Sequence, residues 1–501
     1  MPAVEINLHP AAIEFLKTQP KRMLIDGEWV ESASGKSFET LNPATGEVNA
    51  SVTEADREDI DRAVKAARRA FHGDWAKVKP AQRQRLMLRL AELIEENADE
   101  LACLEVLDNG MPLTAARNGM IPRITSTLRF YGGLARNIHG DTIENSLPGE
   151  YFTYTLREPV GVVGAIHPWN GPLVVAMRSL GPALAVGCTL VLKPAEQTPL
   201  TTLRLGELIL EAGFPPGVVN ICPGFGETAG AALAEHEDVD KVAFTGSHLT
   251  GQRIVKASAG NLKRVSLELG GKSPDIVFDD ADLEQAVPGT AWAIYRNAGQ
   301  VCCAGSRLFV QKKLYDDFLS RVADFASSIK VGNGFDPETQ MGPLISQEQL
   351  DRVTGYLELG QKEGAGFRVG GERIRTGEMA NGYFVAPTVF DGVRPDMQIA
   401  QDEIFGPVLS AIPFQDLDEV VALSNNIRYG LAGGVWTRDI SKAHQVARAL
   451  QAGTVWVNCY NIFEDSIPFG GYKMSGYGSE SGAHGIDLYS KTKAVCINIG
   501  A

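Results

Sequence analysis

At 501 residues the chain exceeds what one hydrophobic core supports, so two or three domains are expected. Hydrophobic residues at 44% and charged residues at 22% match a water-soluble globular protein, and no uncharged apolar run is long enough for a membrane span. A formal net charge of −14 with no basic cluster argues against nucleic acid as a partner. The first residues lack the basic, apolar, small-residue order of a secretory signal, which points to the cytoplasm.

In chain order, residues 53–77 and 80–108 predict helices. Asp56 is a natural N-cap, and Leu86, Leu90, Leu93, Ile94, Leu101 and Leu104 recur at helical spacing. Beyond Tyr151, short β-branched runs at 160–166, 188–193, 218–223 and 239–246 alternate with helical stretches. That alternation predicts βαβ units, a parallel sheet with helices on both faces, and by pattern a dinucleotide-binding architecture. A second alternating block predicts another α/β domain. Its strands fall at 275–278, 306–310, 383–390, 407–414, 432–436 and 453–458, and its helices near 282–300, 314–329, 346–363 and 439–450. Two segments, 141–159 and 487–500, read as strands without a partner in the chain. Another subunit commonly covers such an edge, so a homo-oligomer is expected.

Seven cysteines, Cys103, Cys188, Cys222, Cys302, Cys303, Cys459 and Cys496, form no CxxC and no metal-ligand grouping with histidine; free thiols and no metal are expected. The stretch NAGQVCCAGSR, 297–307, sets Cys302 and Cys303 among small residues that leave room for a substrate. A thiol of pKa near 8.5 is only about 3% thiolate at neutral pH, so a nucleophilic cysteine needs a base or an electropositive pocket. Taken alone, the pair fits a buried structural role better.

Context changes this reading. LELGGKSP at 267–274 followed by GQVCCAGSR resembles the paired glutamate and cysteine signatures of the aldehyde dehydrogenase superfamily. Further matches occur in the family's order: PWN at 168–170, KPAEQTP at 193–199, FTGS at 244–247, EIFGPV at 403–408 and PFGGYKMSG at 468–476. The resemblance spans almost the whole chain and implies an α/β fold of two Rossmann-like parallel-sheet domains plus a small β oligomerisation arm. It implies an NAD-binding domain at 1–139 and 160–270, a catalytic domain at 271–473, and an arm at 140–159 and 486–501. A dimer or tetramer would follow.

By the same resemblance Cys302 is the nucleophile and Cys303 its neighbour. The thiolate adds to an aldehyde, the oxyanion expels hydride toward a nicotinamide, and a thioester remains. Asn170 matches the oxyanion donor, although an Asn ending a strand would look the same. Glu268 matches the general base that activates water, and its presence favours release of the free acid over transfer to coenzyme A; in isolation it would read as a surface glutamate. Lys193 and Glu196 match the adenine-ribose ligands, where a carboxylate would repel a 2′-phosphate and favour NAD; a solvated charge pair is the alternative. Gly246 and Ser247 match the pyrophosphate turn at a helix start, and Glu403 and Phe405 match residues that hold the nicotinamide ribose and ring. A plain helix-start turn, a loop carboxylate and a core phenylalanine remain the ordinary readings. Ile166 and Trp169 are expected to line the same cleft.

One departure stands out. Many members carry an aromatic residue and then lysine nine and ten places after the position of Trp169; here Arg178 and Ser179 occupy those positions. In those members the lysine helps move a proton from the catalytic glutamate, with a glutamate matching Glu480. Ser179 cannot take that cationic part, which leaves Arg178 or water. Val175, Arg178, Tyr295, Arg296, Ile462, Phe463 and Phe469 are expected near the substrate tunnel. Arg178 and Arg296 either pair with an anionic substrate group or are neutralised by Glu464 and Asp465, leaving an apolar tunnel for aromatic or medium aliphatic aldehydes. The expectation is therefore an NAD-dependent, non-acylating aldehyde dehydrogenase. The alternatives are a semialdehyde dehydrogenase of narrow specificity, or a non-catalytic binding or structural protein on the same fold.

Overall fold

The computed structural model describes residues 8–500. Asp56 caps the helix Arg57–His72 as expected, accepting from the backbone N–H groups of Glu58 and Asp59 while Asp59 returns a bond to the Asp56 N–H at 3.2 Å. The predicted helix at 53–77 is shorter than its pattern because Val48–Thr53 is a strand, paired antiparallel with Ser37–Leu41. The helix at 80–108 divides into Pro80–Glu96 and Ala98–Asn109. At the division, Asn97 Nδ2 donates to the Leu93 carbonyl at 2.8 Å, a local bond that competes with helix continuation.

Five parallel strands form the centre of the first sheet, in the spatial order Arg264–Glu268, Lys241–Thr245, Val162–Ile166, Thr189–Lys193, Val219–Ile221. Numbered in sequence, this is the order 5-4-1-2-3 of a dinucleotide fold, and its reversal point lies between Val162–Ile166 and Lys241–Thr245. Val162–Ile166 and Thr189–Lys193 are buried at every position, as a sheet covered on both faces requires. Short antiparallel strands close both edges: Met23–Ile25 with Glu28–Val30 on one side and Gly476–Tyr477 on the other.

The second sheet holds six parallel strands, ordered Thr388–Asp391, Val408–Phe414, Arg307–Gln311, Pro274–Val277, Ala432–Trp436, Thr454–Val457, with Gly366–Val369 antiparallel at one edge. The strand expected at 383–390 is regular only from Thr388, because Pro387 has no N–H to give the ladder. Each sheet has its own apolar core.

The two leftover segments correct the sequence reading. They are not unpartnered: Ser490–Asn498 pairs antiparallel with Tyr151–Pro159 over nine residues, and Thr142–Ile143 pairs with the other edge of Tyr151–Pro159. Residues 486–489 are not part of the arm strand either. They close the helix His484–Tyr489, whose Ile486 and Tyr489 are buried in the first core.

Candidate active site

The catalytic candidates converge from strand ends of both sheets. Glu268 ends its strand in the first sheet, and Asn170 lies four residues beyond Val162–Ile166. Cys302 follows the helix Leu283–Tyr295 through a tight turn in which Asn297, Ala298 and Gly299 all have left-handed backbone, with φ of 48°, 53° and 73°. For the two non-glycine residues this costs about 1–2 kcal/mol each. Hydrogen bonds hold the turn: Asn297 Nδ2 donates to the Asn170 carbonyl at 3.0 Å, and Gln300 donates to the Asn297 carbonyl at 3.0 Å while accepting from the Ile345 N–H at 2.9 Å. Asn170 Nδ2 donates to the Gln300 carbonyl at 2.9 Å. A carboxamide has two N–H groups, so one remains for a ligand beside Cys302.

The charges of this site are poorly solvated. Burial, and then repulsion from Glu480, hold the Glu268 carboxyl well above the usual carboxylate range, and neither of its oxygens has a hydrogen-bond partner among the described residues. Burial also raises Glu480, against the pull of Arg178 and Lys241. The neighbouring Cys303 thiol, then burial, push the Cys302 thiol above its ordinary value, and Arg178 draws it back down. The two thiols ionise as a pair. Cys303 is buried and reaches Asn461 Oδ1 at 3.5 Å, which leaves Cys302 as the partly exposed member that a substrate can meet.

A second set lines the crevice at the reversal point of the first sheet. Lys193 Nζ pairs with Glu196 at 3.1 Å at the end of one strand. Ser247 caps the helix His248–Ser258, its hydroxyl accepting from the Thr250 N–H at 3.2 Å, so this helix start faces the crevice. A Cβ on Gly246 would lie 2.5 Å from the Phe244 ring, so glycine leaves room for that ring, and its N–H is already used on the Glu268 carbonyl at 3.0 Å. Across the crevice, the rings of Trp169 and Phe405 meet edge to face with centroids 5.3 Å apart. Phe405 has φ of 62°, and Gln349 holds its carbonyl at 2.7 Å. Glu403 accepts from the Gly271 N–H at 3.0 Å, and burial pushes its carboxyl up to about 7. Ile166, at the end of its strand, is buried beneath this cleft.

The model of the aldehyde dehydrogenase family matches residues 29–495. The chain belongs to that family. A mitochondrial aldehyde dehydrogenase of Homo sapiens is 51% identical over 483 residues, covering 95% of this chain and 92% of the relative. An aldehyde dehydrogenase of Bacillus cereus, solved as its NAD+ complex, superposes with a TM-score of 0.96 at 52% identity, covering 98% and 99% of the two chains. A betaine aldehyde dehydrogenase of Staphylococcus aureus, also solved with NAD+, gives 0.95 at 42% identity, covering 98% and 97%.

In this aldehyde dehydrogenase the tunnel residues named from sequence divide. The Arg178 guanidinium lies 4.9 Å from the centre of the Phe469 ring, and Phe469 packs against Phe463 at 5.7 Å. Val175 is buried one turn before Arg178 on the helix Pro172–Val186; Ile462 is exposed and accepts from Trp456 Nε1 at 2.9 Å. Tyr295 is a correction. It is fully buried in the catalytic core with its hydroxyl on the Thr388 carbonyl at 3.1 Å, because the helix ends with that face turned toward the sheet. Arg296, the next residue, is exposed and has no hydrogen bond or ion pair with the described residues. Neutralisation by the loop acids is also corrected: Asp465 is bound by the hydroxyls of Ser126 and Thr127, and Glu464 turns back onto Ser466.

Two cations were missed. Arg123, on the helix Ile121–Leu134, stacks 4.3 Å from the centre of the Phe463 ring; nothing in the sequence near residue 123 connects it with residues beyond 460. Lys241 is buried near Glu480, with Nζ donating to Ser266 at 2.7 Å, and burial draws it down to about 8. Ser179, in the position of the relay lysine, instead contacts His167 Nε2 at 3.2 Å.

Proposed function

We propose that this aldehyde dehydrogenase oxidises an aldehyde to the free acid with NAD, through a thioester on Cys302 that Glu268 hydrolyses. The observation that carries this reading is the convergence of a partly exposed thiol, a buried carboxyl without hydrogen-bond partners and a carboxamide with a spare N–H, on a loop braced by Gln300. Positive charge from Arg178 favours the Cys302 thiolate, whose sulfur forms a bond to the aldehyde carbon. The resulting oxyanion receives hydrogen bonds from Asn170 Nδ2 and the Cys302 N–H. NAD, when bound, accepts the hydride that leaves this carbon. Glu268 takes a proton from water, the water oxygen bonds to the acyl carbon, and the carbon–sulfur bond breaks to release the acid and the thiolate.

The residues fit the cofactor. Trp169, Phe405 and Glu403 would hold the nicotinamide end, the capped start at Ser247 would face the pyrophosphate, and Glu196 beside Lys193 would take the adenosine ribose and repel a 2′-phosphate. We place the NAD-binding domain at 1–139 and 160–270 and the catalytic domain at 271–473. The arm pairs chains into a dimer or tetramer. Seven free cysteines support a reducing, cytoplasmic setting, and no helix among the described residues is long and apolar enough to cross a membrane. Following NADH absorbance with a panel of aldehydes tests the route: Cys302→Ala abolishes turnover, and undiminished turnover in that variant would remove the thioester mechanism.

A further inference from the structure

Arg123 and Arg178 come from different helices, Ile121–Leu134 and Pro172–Val186, yet they stack on two phenyl rings that touch, Phe463 and Phe469. Each is close enough to act on the Cys302–Cys303 pair. Neither guanidinium has a hydrogen bond or ion pair with the described residues, and the Arg178 Nε is buried without a partner. The chain carries 61 acidic residues and a net charge of −14, yet among the described residues no carboxylate hydrogen-bonds or ion-pairs with either guanidinium. Asp465 acts on Arg123 through space, while its oxygens accept from the hydroxyls of Ser126 and Thr127. Glu268 and Glu480 are close enough to act on Arg178, but neither forms a hydrogen bond or ion pair with it. Burial, and then repulsion from Arg178, draw Arg123 down to about 10. Two like charges set in an aromatic lining without a hydrogen-bonded counterion cost free energy that a further anion, bonded to both, would offset.

We propose that Arg123 and Arg178 form an anion-binding subsite of the substrate tunnel, and that the preferred substrate is an aldehyde carrying a carboxylate a few bonds from its carbonyl. This deepens the thioester reading and rests on it. The carboxylate docks on the two planar donor forks while the aldehyde carbon reaches Cys302, so the charge of the substrate orients its reactive end. The Phe463 and Phe469 rings keep water from the pair and strengthen it.

The test compares kcat/KM for succinic semialdehyde and for para-carboxybenzaldehyde with that for the methyl ester of each, which keeps the shape and removes the charge. The acid is expected to exceed its ester by about 10- to 100-fold, mostly through KM, as for hydrogen bonds to a charged group. In Arg123→Gln the ratio falls toward one, and Arg123→Lys restores part of it. Equal values for acid and ester in the unaltered enzyme overturn the inference, whatever the variants do; NADH formation from the esters in that case leaves the thioester mechanism standing. Glycolaldehyde phosphate separates the sources of negative charge, and a preference for it over the carboxylates overturns the carboxylate assignment. Protection of Cys302 from iodoacetamide by succinate, read by mass spectrometry, is expected without turnover, and absence of protection also counts against the subsite.

Discussion

Glu268 must give up a proton before it can take one from water. Burial and the repulsion of Glu480 hold its carboxyl well above the ordinary range, so it stays protonated to higher pH than an exposed carboxyl does. Below the raised pKa the base is blocked, and above it the base is free. Where hydrolysis limits turnover, kcat is expected to rise with pH through a midpoint above that of an ordinary carboxylate, and a kcat that does not rise with pH above the ordinary carboxylate range would contradict the role of Glu268. Replacing it tests the same step. Glu268→Gln is expected to give about one equivalent of NADH per active site in a burst, followed by a steady rate lower by ~10²–10⁴, as rapid-mixing absorbance would record. Cys302, Glu268 and Asn170, to which the proposed route assigns its nucleophile, base and donor, were named from motifs that the sequence carries in the family's order. Arg123 was not legible, since arginine on a helix face is ordinarily solvated and nothing local marks it as facing an aromatic ring.

At the scale of elements, the turn after Leu283–Tyr295 ties the two halves of the site together. A Cβ on Gly299 would lie 2.0 Å from the Gly406 carbonyl oxygen, in the segment that carries Glu403 and Phe405, and φ of 73° already disfavours any other residue. Gly299→Ala is therefore expected to shift the Cys302 loop and the nicotinamide segment apart. A displacement of 1 Å is enough to lower kcat by ~10², and the melting temperature should fall as well; a variant with unchanged kcat would show that this close approach does not position the cysteine. The βα alternation was readable because strand and helix periods differ. The break at Asn97, the strand at Val48–Thr53 and the left-handed run at 297–299 were not, because each depends on a local hydrogen bond or contact that outweighs the intrinsic pattern.

For the whole molecule, the three-stranded arm leaves an apolar stripe exposed. Phe152 and Ile497 are direct cross-strand neighbours, at 44% and 42% exposure, and Leu156 at 41% lies on the same face of its strand. Three large apolar side chains aligned on one sheet face suit an interface between copies better than solvent. Sedimentation of the intact chain is expected to give a dimer or tetramer, and Phe152→Asp to shift it toward monomer; an intact chain that sediments as a monomer would remove the proposed arm interface. The sequence had marked these segments as strands seeking a partner, and the tertiary structure supplied the partner from within the chain.

Sequence alone determined the architecture, two blocks of alternating strands and helices, and carried in order the motifs that mark the family. The blocks follow from backbone periodicity and the motifs from residue order, both of which are local. What only the tertiary structure decided are the meetings of distant residues. Arg123 joins Arg178 across two aromatic rings, Tyr295 turns into the core, Asp465 binds hydroxyls instead of an arginine, and Ser490–Asn498 finds Tyr151–Pro159. A period gives the face on which a side chain lies. Which element that face meets is settled by packing the whole chain, as it is for Arg123 and Arg178.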